Sequence, residues 1–98
     1  MSSPVLTVVA ATVEEDAHDH VVRGFRELLT GSMPDGLIRT ELLRGPEGRW
    51  CIQTLWRDQA ALDAMRAGPE PPAAPALFRT VGSEPSLVIW EVVSDAAS

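Results

Sequence analysis

The sequence predicts a ferredoxin-like α+β domain in the order β-α-β-β-α-β, a four-stranded antiparallel sheet with both helices on one face. Three observations carry this expectation. β-Branched runs open and close the chain, two further strand-like runs flank a Gly-Pro-Glu-Gly turn, and a helix-periodic segment lies on each side of that hairpin. A length of 98 residues suits one domain, with a core over 5–93 and a frayed tail at Ser94–Ser98.

Val5–Val13 is a β-branched run between Pro4 and the acidic Glu14-Glu15-Asp16, and reads as a buried strand. The acidic triplet suits a helix start, where exposed N–H groups favour negative charge. From Ala17 to Thr30 the apolar Val21, Val22, Phe25, Leu28 and Leu29 recur at helical spacing. Gly24 inside that helix points to a close approach to the sheet, and Gly31 is a candidate C-cap. Leu37–Arg44 and Arg49–Arg57 are strands joined by the turn Gly45–Gly48. Asp58 then caps a short helix over Gln59–Ala67, stopped by Gly68-Pro69. Pro69, Pro71, Pro72 and Pro75 predict a stiff loop with one helical turn at Ala76-Leu77-Phe78, before a last strand over Leu87–Val93.

Composition excludes several functions. A net charge of −6 and a pI near 4.7 argue against nucleic acid, whose phosphates need a positive stripe. All eight basic residues are Arg, scattered along the chain. The lone Cys51 excludes an internal disulfide and a CxxC metal site, and its apolar strand context reads as an inert thiol. The start, MSSPVLTVVAATVEED, has no basic n-region of a signal peptide, and its apolar run is shorter than the ~20 residues of a membrane span. A cytoplasmic location with no membrane partner is the simple expectation.

The strand faces predict a protein partner. In strand one Val5, Val9 and Val13 oppose Leu6, Val8 and Ala10; in strand four Leu87, Ile89 and Val93 oppose Val88, Trp90 and Val92. Both faces are apolar, whereas helices cover only one. A second copy packing sheet to sheet is the favoured cover, and the proline-rich loop folded over that face is the alternative.

The stretch Leu55-Trp56-Arg57-Asp58-Gln59-Ala60-Ala61-Leu62-Asp63-Ala64, with the closing strand Val88-Ile89-Trp90-Glu91-Val92, resembles the antibiotic biosynthesis monooxygenase domain family. The resemblance covers Val5 to Val93 and implies a homodimeric α+β barrel. It also implies one of several activities: cofactor-independent oxygenation of quinols or polycyclic aromatics, haem degradation, or none. Related dimeric barrels include isomerases and polyketide cyclases. Haem-degrading members resemble one another in an Asn on strand one, a Trp, and a His near the end of helix two. Trp56 matches the Trp, but this chain contains no Asn, and Met65 stands where many members carry the His. It also has no Tyr, a proton-transfer group of some aromatic-substrate oxygenases.

His18 shares a helix face with Val22, Phe25 and Leu29, which makes it the candidate general base; the competing reading is a boundary histidine. His20 lies off that face, and the two, two residues apart, do not face each other on a helix, which disfavours a two-His metal site. Trp50, Ile52, Thr54 and Trp56 alternate on one strand face. Trp50 reads as core, while Trp56 at the strand end is placed to stack on a flat substrate. Phe25, Thr54, Met65 and Phe78 are its expected neighbours, with ordinary packing as the alternative. Arg39 and Thr12 are candidate oxyanion partners, although Arg39 shares a face with Glu41 and the favoured reading for it is half of an ion pair. The leading expectation is a cofactor-independent monooxygenase-like homodimer acting on a flat aromatic, quinol or polyketide-type molecule. The alternatives are a non-catalytic ligand-binding or structural dimer and, third, an isomerase or cyclase. No metal and no cofactor is implied.

Overall fold

The computed structural model describes residues 3–96. The expected frayed tail Ser94–Ser98 therefore lies partly outside the described residues; 94–96 carry no regular structure. Four strands, β1 (Val5–Thr12), β2 (Leu37–Arg44), β3 (Arg49–Trp56) and β4 (Ser86–Glu91), form one antiparallel sheet in the order β2-β3-β1-β4. Three helices accompany them: α1 (His18–Leu28), entered through a short 3₁₀ turn at Glu15–Ala17, then α2 (Gln59–Arg66) and α3 (Ala73–Arg79). The fold is the ferredoxin-like α+β arrangement.

The register decides which residues share a face. β1 pairs with β3 so that Val5, Thr7, Val9 and Ala11 oppose Trp56, Thr54, Ile52 and Trp50. These side chains point toward the helices, and Val5, Thr7, Val9, Trp50, Ile52, Thr54 and Trp56 are all buried. On β4 the residues of that face are Leu87 and Ile89, which register with Val9 and Thr7. The sheet connects at β2–β3 through a turn in which Glu47 and Gly48 both have positive φ, 59° and 73°. That sense of turn matches the twist of paired strands. A register shift between Leu37 and Arg39 puts Thr40 and Leu42 on the helix side and Arg39, Glu41 and Leu43 on the other.

The core has two parts. Val9, Val13, Val21, Phe25, Trp50, Ile52, Leu77 and Phe78 form one, and Val5, Trp56, Ala61 and Leu62 the other. α2 is pinned at its start: the Asp58 carboxylate accepts from the Ala61 N–H at 2.8 Å. Gly36, at φ 84°, brings the chain before β2 so close to α2 that a Cβ there would collide with Ala61.

Two expectations need correction. The single helical turn at Ala76–Phe78 is a seven-residue helix, α3. Pro72 and Pro75 do not prevent it, because they occupy the N-cap and first turn, where backbone N–H groups have no intrahelical acceptor. Gly24 faces that helix rather than the sheet: a Cβ at Gly24 would strike Leu77 Cδ1. The proline-rich loop lies on the helix side of the sheet and leaves the opposite face open. There Leu43, Val88 and Trp90 are exposed, Trp90 by 60%.

Candidate functional site

A pocket of about 670 Å³ lies between the helix side of the sheet and the layer formed by α1, α2 and the proline-rich segment. That is within the ~300–1,000 Å³ of small-molecule sites. Its floor is sheet: Thr7 and Val9 of β1, Ile52, Thr54 and Trp56 of β3, Leu37 and Thr40 of β2. Phe25 and Leu28 of α1 and its C-cap Leu29 form one wall, Leu62 and Met65 of α2 another. Pro69, Pro71, Pro72 and Pro75 form a third. Leu87 and Ile89 also line it, yet they are 46% and 38% exposed, so the pocket reaches solvent along β4.

The polar side chains of the floor form one strip. The Trp56 indole N–H donates to Thr7 Oγ1 at 3.2 Å, and the Thr7 hydroxyl donates to the Thr54 carbonyl at 3.4 Å. Thr54 Oγ1 and Thr40 Oγ1 lie 2.9 Å apart and share a hydrogen bond. The charged lining residues, Arg66, Glu70 and Arg79, are all exposed and belong to the rim.

Four of the expected site residues, Trp56, Phe25, Thr54 and Met65, line this pocket together. The other four do not. His18 packs against Trp50, ring centroids 4.9 Å apart, and its Nε2 donates to the Val13 carbonyl at 3.1 Å. Trp50 and Trp56 are six residues apart on one strand, about 20 Å at the usual rise. A base beside Trp50 is therefore out of reach of a ligand stacked on Trp56. Phe78 is fully buried in the larger core cluster and lines no pocket wall. Thr12 is exposed at the end of β1. Arg39 lies on the open sheet face, its Nη2 donating to Glu41 Oε1 at 2.8 Å. Paired there, its guanidinium faces away from the pocket.

Thr7, Thr40, Leu62 and the proline wall were not among the expected site residues. Thr7 had a visible signal: a hydroxyl on the inward parity of an otherwise apolar strand is a buried polar group needing a partner. Thr40 did not, because apolar residues stand on both parities of β2, Leu37 and Leu43 on one and Ile38 and Leu42 on the other. His20 lies on the surface, its Nε2 3.3 Å from Thr80 Oγ1. Cys51 sits on the open face, its thiol pushed up from the ordinary 9.0 by burial and then by the Glu41 carboxylate. Among the described residues no group of three or more His, Cys, Asp or Glu is placed to hold a metal ion. None of the helices described is long and apolar enough to cross a membrane.

The family model described as antibiotic biosynthesis monooxygenase matches residues 4–74, which includes β1 to α2 and most of the pocket wall. The chain belongs to the antibiotic biosynthesis monooxygenase family. Solved structures with the fold of this family superpose over nearly the full length. A heme-degrading protein from Mycobacterium tuberculosis is 25% identical, with a TM-score of 0.76 and both chains covered in full. A Deinococcus radiodurans protein bearing the antibiotic biosynthesis monooxygenase name is 12% identical, also with a TM-score of 0.76, over 96% of this chain and 97% of its own. A protein of the same designation from Caulobacter crescentus is 17% identical, with a TM-score of 0.75 over 95% and 92%. No curated protein sequence matches this antibiotic biosynthesis monooxygenase family member.

Proposed function

We propose that this protein is a small cofactor-independent monooxygenase that takes a flat aromatic quinol or polyketide-type molecule into the pocket floored by Trp56. The observation that carries the reading is the pocket itself: about 670 Å³ of apolar space with its deep polar groups gathered on a single strip. Such a shape takes a planar ring system with oxygen on one edge. Membership of the family supports the reaction type.

The chemistry asks little of the protein. A methylene flanked by aryl rings and conjugated to a carbonyl loses a proton, and the resulting carbanion passes an electron to dioxygen. The radical pair joins to a peroxide anion, which takes back a proton from water, and the hydroperoxide then eliminates water to leave a ketone, so that R₂CH₂ and O₂ become R₂C=O and H₂O. The deep pocket holds no ionisable side chain, so the first proton leaves to water at the β4 opening. The substrate must therefore be a fairly strong carbon or phenol acid. The protein supplies a dry, shaped enclosure for the anion. The heme-degrading relative does not extend its substrate to this chain: the pocket lining contains no His.

A specific observation favours a second reading, a binding protein without turnover. His18, the expected base, is committed to Val13 and Trp50 outside the pocket. Oxygen uptake with anthrone-type methylenes and hydroquinones separates the two. Monooxygenase action predicts uptake that is unchanged in His18→Ala and reduced in Trp56→Phe. Tight binding of these compounds with no uptake leaves the binding reading.

We also propose that a second copy of the chain covers the open sheet face on which Val88 and Trp90 lie exposed. Light scattering at micromolar concentration should show a dimer, and Trp90→Glu should shift it toward monomer. A wild-type monomer would remove this proposal.

A further inference from the structure

Resting on the pocket reading above, we infer that the Thr40–Thr54 hydroxyl pair is the element that recognises a keto or enolate oxygen on the ligand. Proton accounting isolates it. Each threonine hydroxyl has one proton to donate. The Thr7 proton is spent on the Thr54 carbonyl, and the Trp56 N–H is spent on Thr7. Between Thr40 and Thr54 a single hydrogen bond of 2.9 Å uses one of the two protons available, whichever residue donates. The other proton is uncommitted, and it is the free donor deep in the pocket. The remaining lining donors, Ser32, Arg66 and Arg79, are exposed at the rim. The Ser86 hydroxyl is turned onto the Ala10 carbonyl at 3.4 Å.

This arrangement does more for an anion than for a neutral ligand. A hydroxyl donating to an oxygen that gains charge as the methylene loses its proton makes a stronger bond in the anion than in the ketone. The two hydroxyls also polarise each other, since the donor that points to the ligand accepts from its neighbour. The pair thus takes the part of oxyanion partner expected of Arg39 and Thr12, which the fold places elsewhere. Substrates are accordingly selected for an oxygen on the ring edge lying over β2 and β3.

The accounting makes a non-additive prediction. Removing either hydroxyl frees the proton of the one that remains, so each single Thr→Val variant still offers one donor. Only the double variant offers none. Anthracene and anthrone, similar in ring skeleton and different in the oxygen, are the probes, read by quenching of tryptophan fluorescence. Wild type should prefer anthrone by about five- to tenfold, the usual worth of one such hydrogen bond. Thr40→Val and Thr54→Val should each reduce that preference by about twofold or less, and the double variant should abolish it while binding anthracene as before. Replacing both partners by apolar groups of similar shape is close to neutral for stability, and an unchanged denaturation midpoint verifies it. The wild-type comparison stands without any variant. Equal binding of both probes by wild type, or a preference that survives in the double variant, overturns this inference and leaves the pocket reading intact. Failure of both probes to bind overturns both.

Discussion

Replacing Asp58 by Ala removes the N-cap of α2, and the structure allows the loss to be worked out. The carboxylate accepts from Ala61 N–H at 2.8 Å, a bond typically worth about 1 kcal/mol at this position. Asp58 also lies 3.6 Å from Arg57 Nε, but that side chain is 57% exposed, so the pair adds only a few tenths of a kcal/mol. The first turn of α2 holds no other acidic residue, so the charge facing the helix dipole is lost as well, for roughly another 0.3–0.5 kcal/mol. The sum is about 1.5 kcal/mol for Asp58→Ala. Asp58→Asn keeps the cap and loses only the charge, about 0.5 kcal/mol. For a domain of this size 1 kcal/mol moves the melting temperature by about 4–8 °C. Thermal unfolding followed by circular dichroism should therefore show a drop of roughly 6–12 °C for Asp58→Ala and about 2–4 °C for Asp58→Asn. Because α2 carries Leu62 and Met65 of the pocket, Asp58→Ala should also weaken ligand binding below its melting point. Equal losses in the two variants would show that charge, not the cap, holds the helix. A shift under about 1 °C for Asp58→Ala would show that packing of Ala61 and Leu62 alone suffices.

Three further outcomes follow from other sites. Trp56→Phe should cost about 1–3 kcal/mol through the lost N–H bond and ring volume, and Thr7→Val a comparable amount by orphaning that N–H. The double variant should lose less than the sum in urea denaturation; strict additivity would show the two do not interact. Cys51 predicts an alkaline limb: its folded thiol resists ionisation, whereas the unfolded thiol ionises near its ordinary 9.0, so stability falls as pH rises past that value. The chain has no Lys and no Tyr to obscure it, and Cys51→Ala should flatten the urea midpoint between about pH 9 and 11; an unchanged slope refutes the assignment. Gly24→Ala should destabilise by about 1–3 kcal/mol through contact with Leu77, despite better helix propensity. In a Leu77→Ala background the same change should become neutral or stabilising by up to about 1 kcal/mol, and persistent destabilisation would place the conflict elsewhere.

The architecture was legible because period-two and period-3.6 patterns in this chain rarely conflict. Val5, Val9, Ile52 and Trp56 are inward by simple alternation, and the register joins them as alternation requires. Asp58 and the Gly-Pro-Glu-Gly turn mark their boundaries chemically. α3 was harder to read, since four prolines within seven residues suggest a loop unless Pro72 and Pro75 are known to stand at the N-cap and in the first turn. Reading α3 as a single turn also misdirected Gly24, whose actual neighbour is Leu77 of that longer helix. The site was half legible. Periodicity puts His18 on the apolar face of α1, but only tertiary structure reveals that Val13 and Trp50 hold it at the far end of the sheet. Leu37 and Thr40 have opposite parity yet share the helix-side face, because of a register shift between Leu37 and Arg39 that alternation does not contain.

The wall made by Pro69, Pro71, Pro72 and Pro75 has a consequence for how ligands are admitted. Four rings with fixed φ leave this segment few conformations to lose when a molecule settles against it. The conformational entropy normally given up by a closing loop was already surrendered when the chain folded. Association should then proceed as a single step, without a slow closing phase, and selection should operate by shape against an unyielding surface. A ligand one ring too wide is excluded at such a surface rather than accommodated.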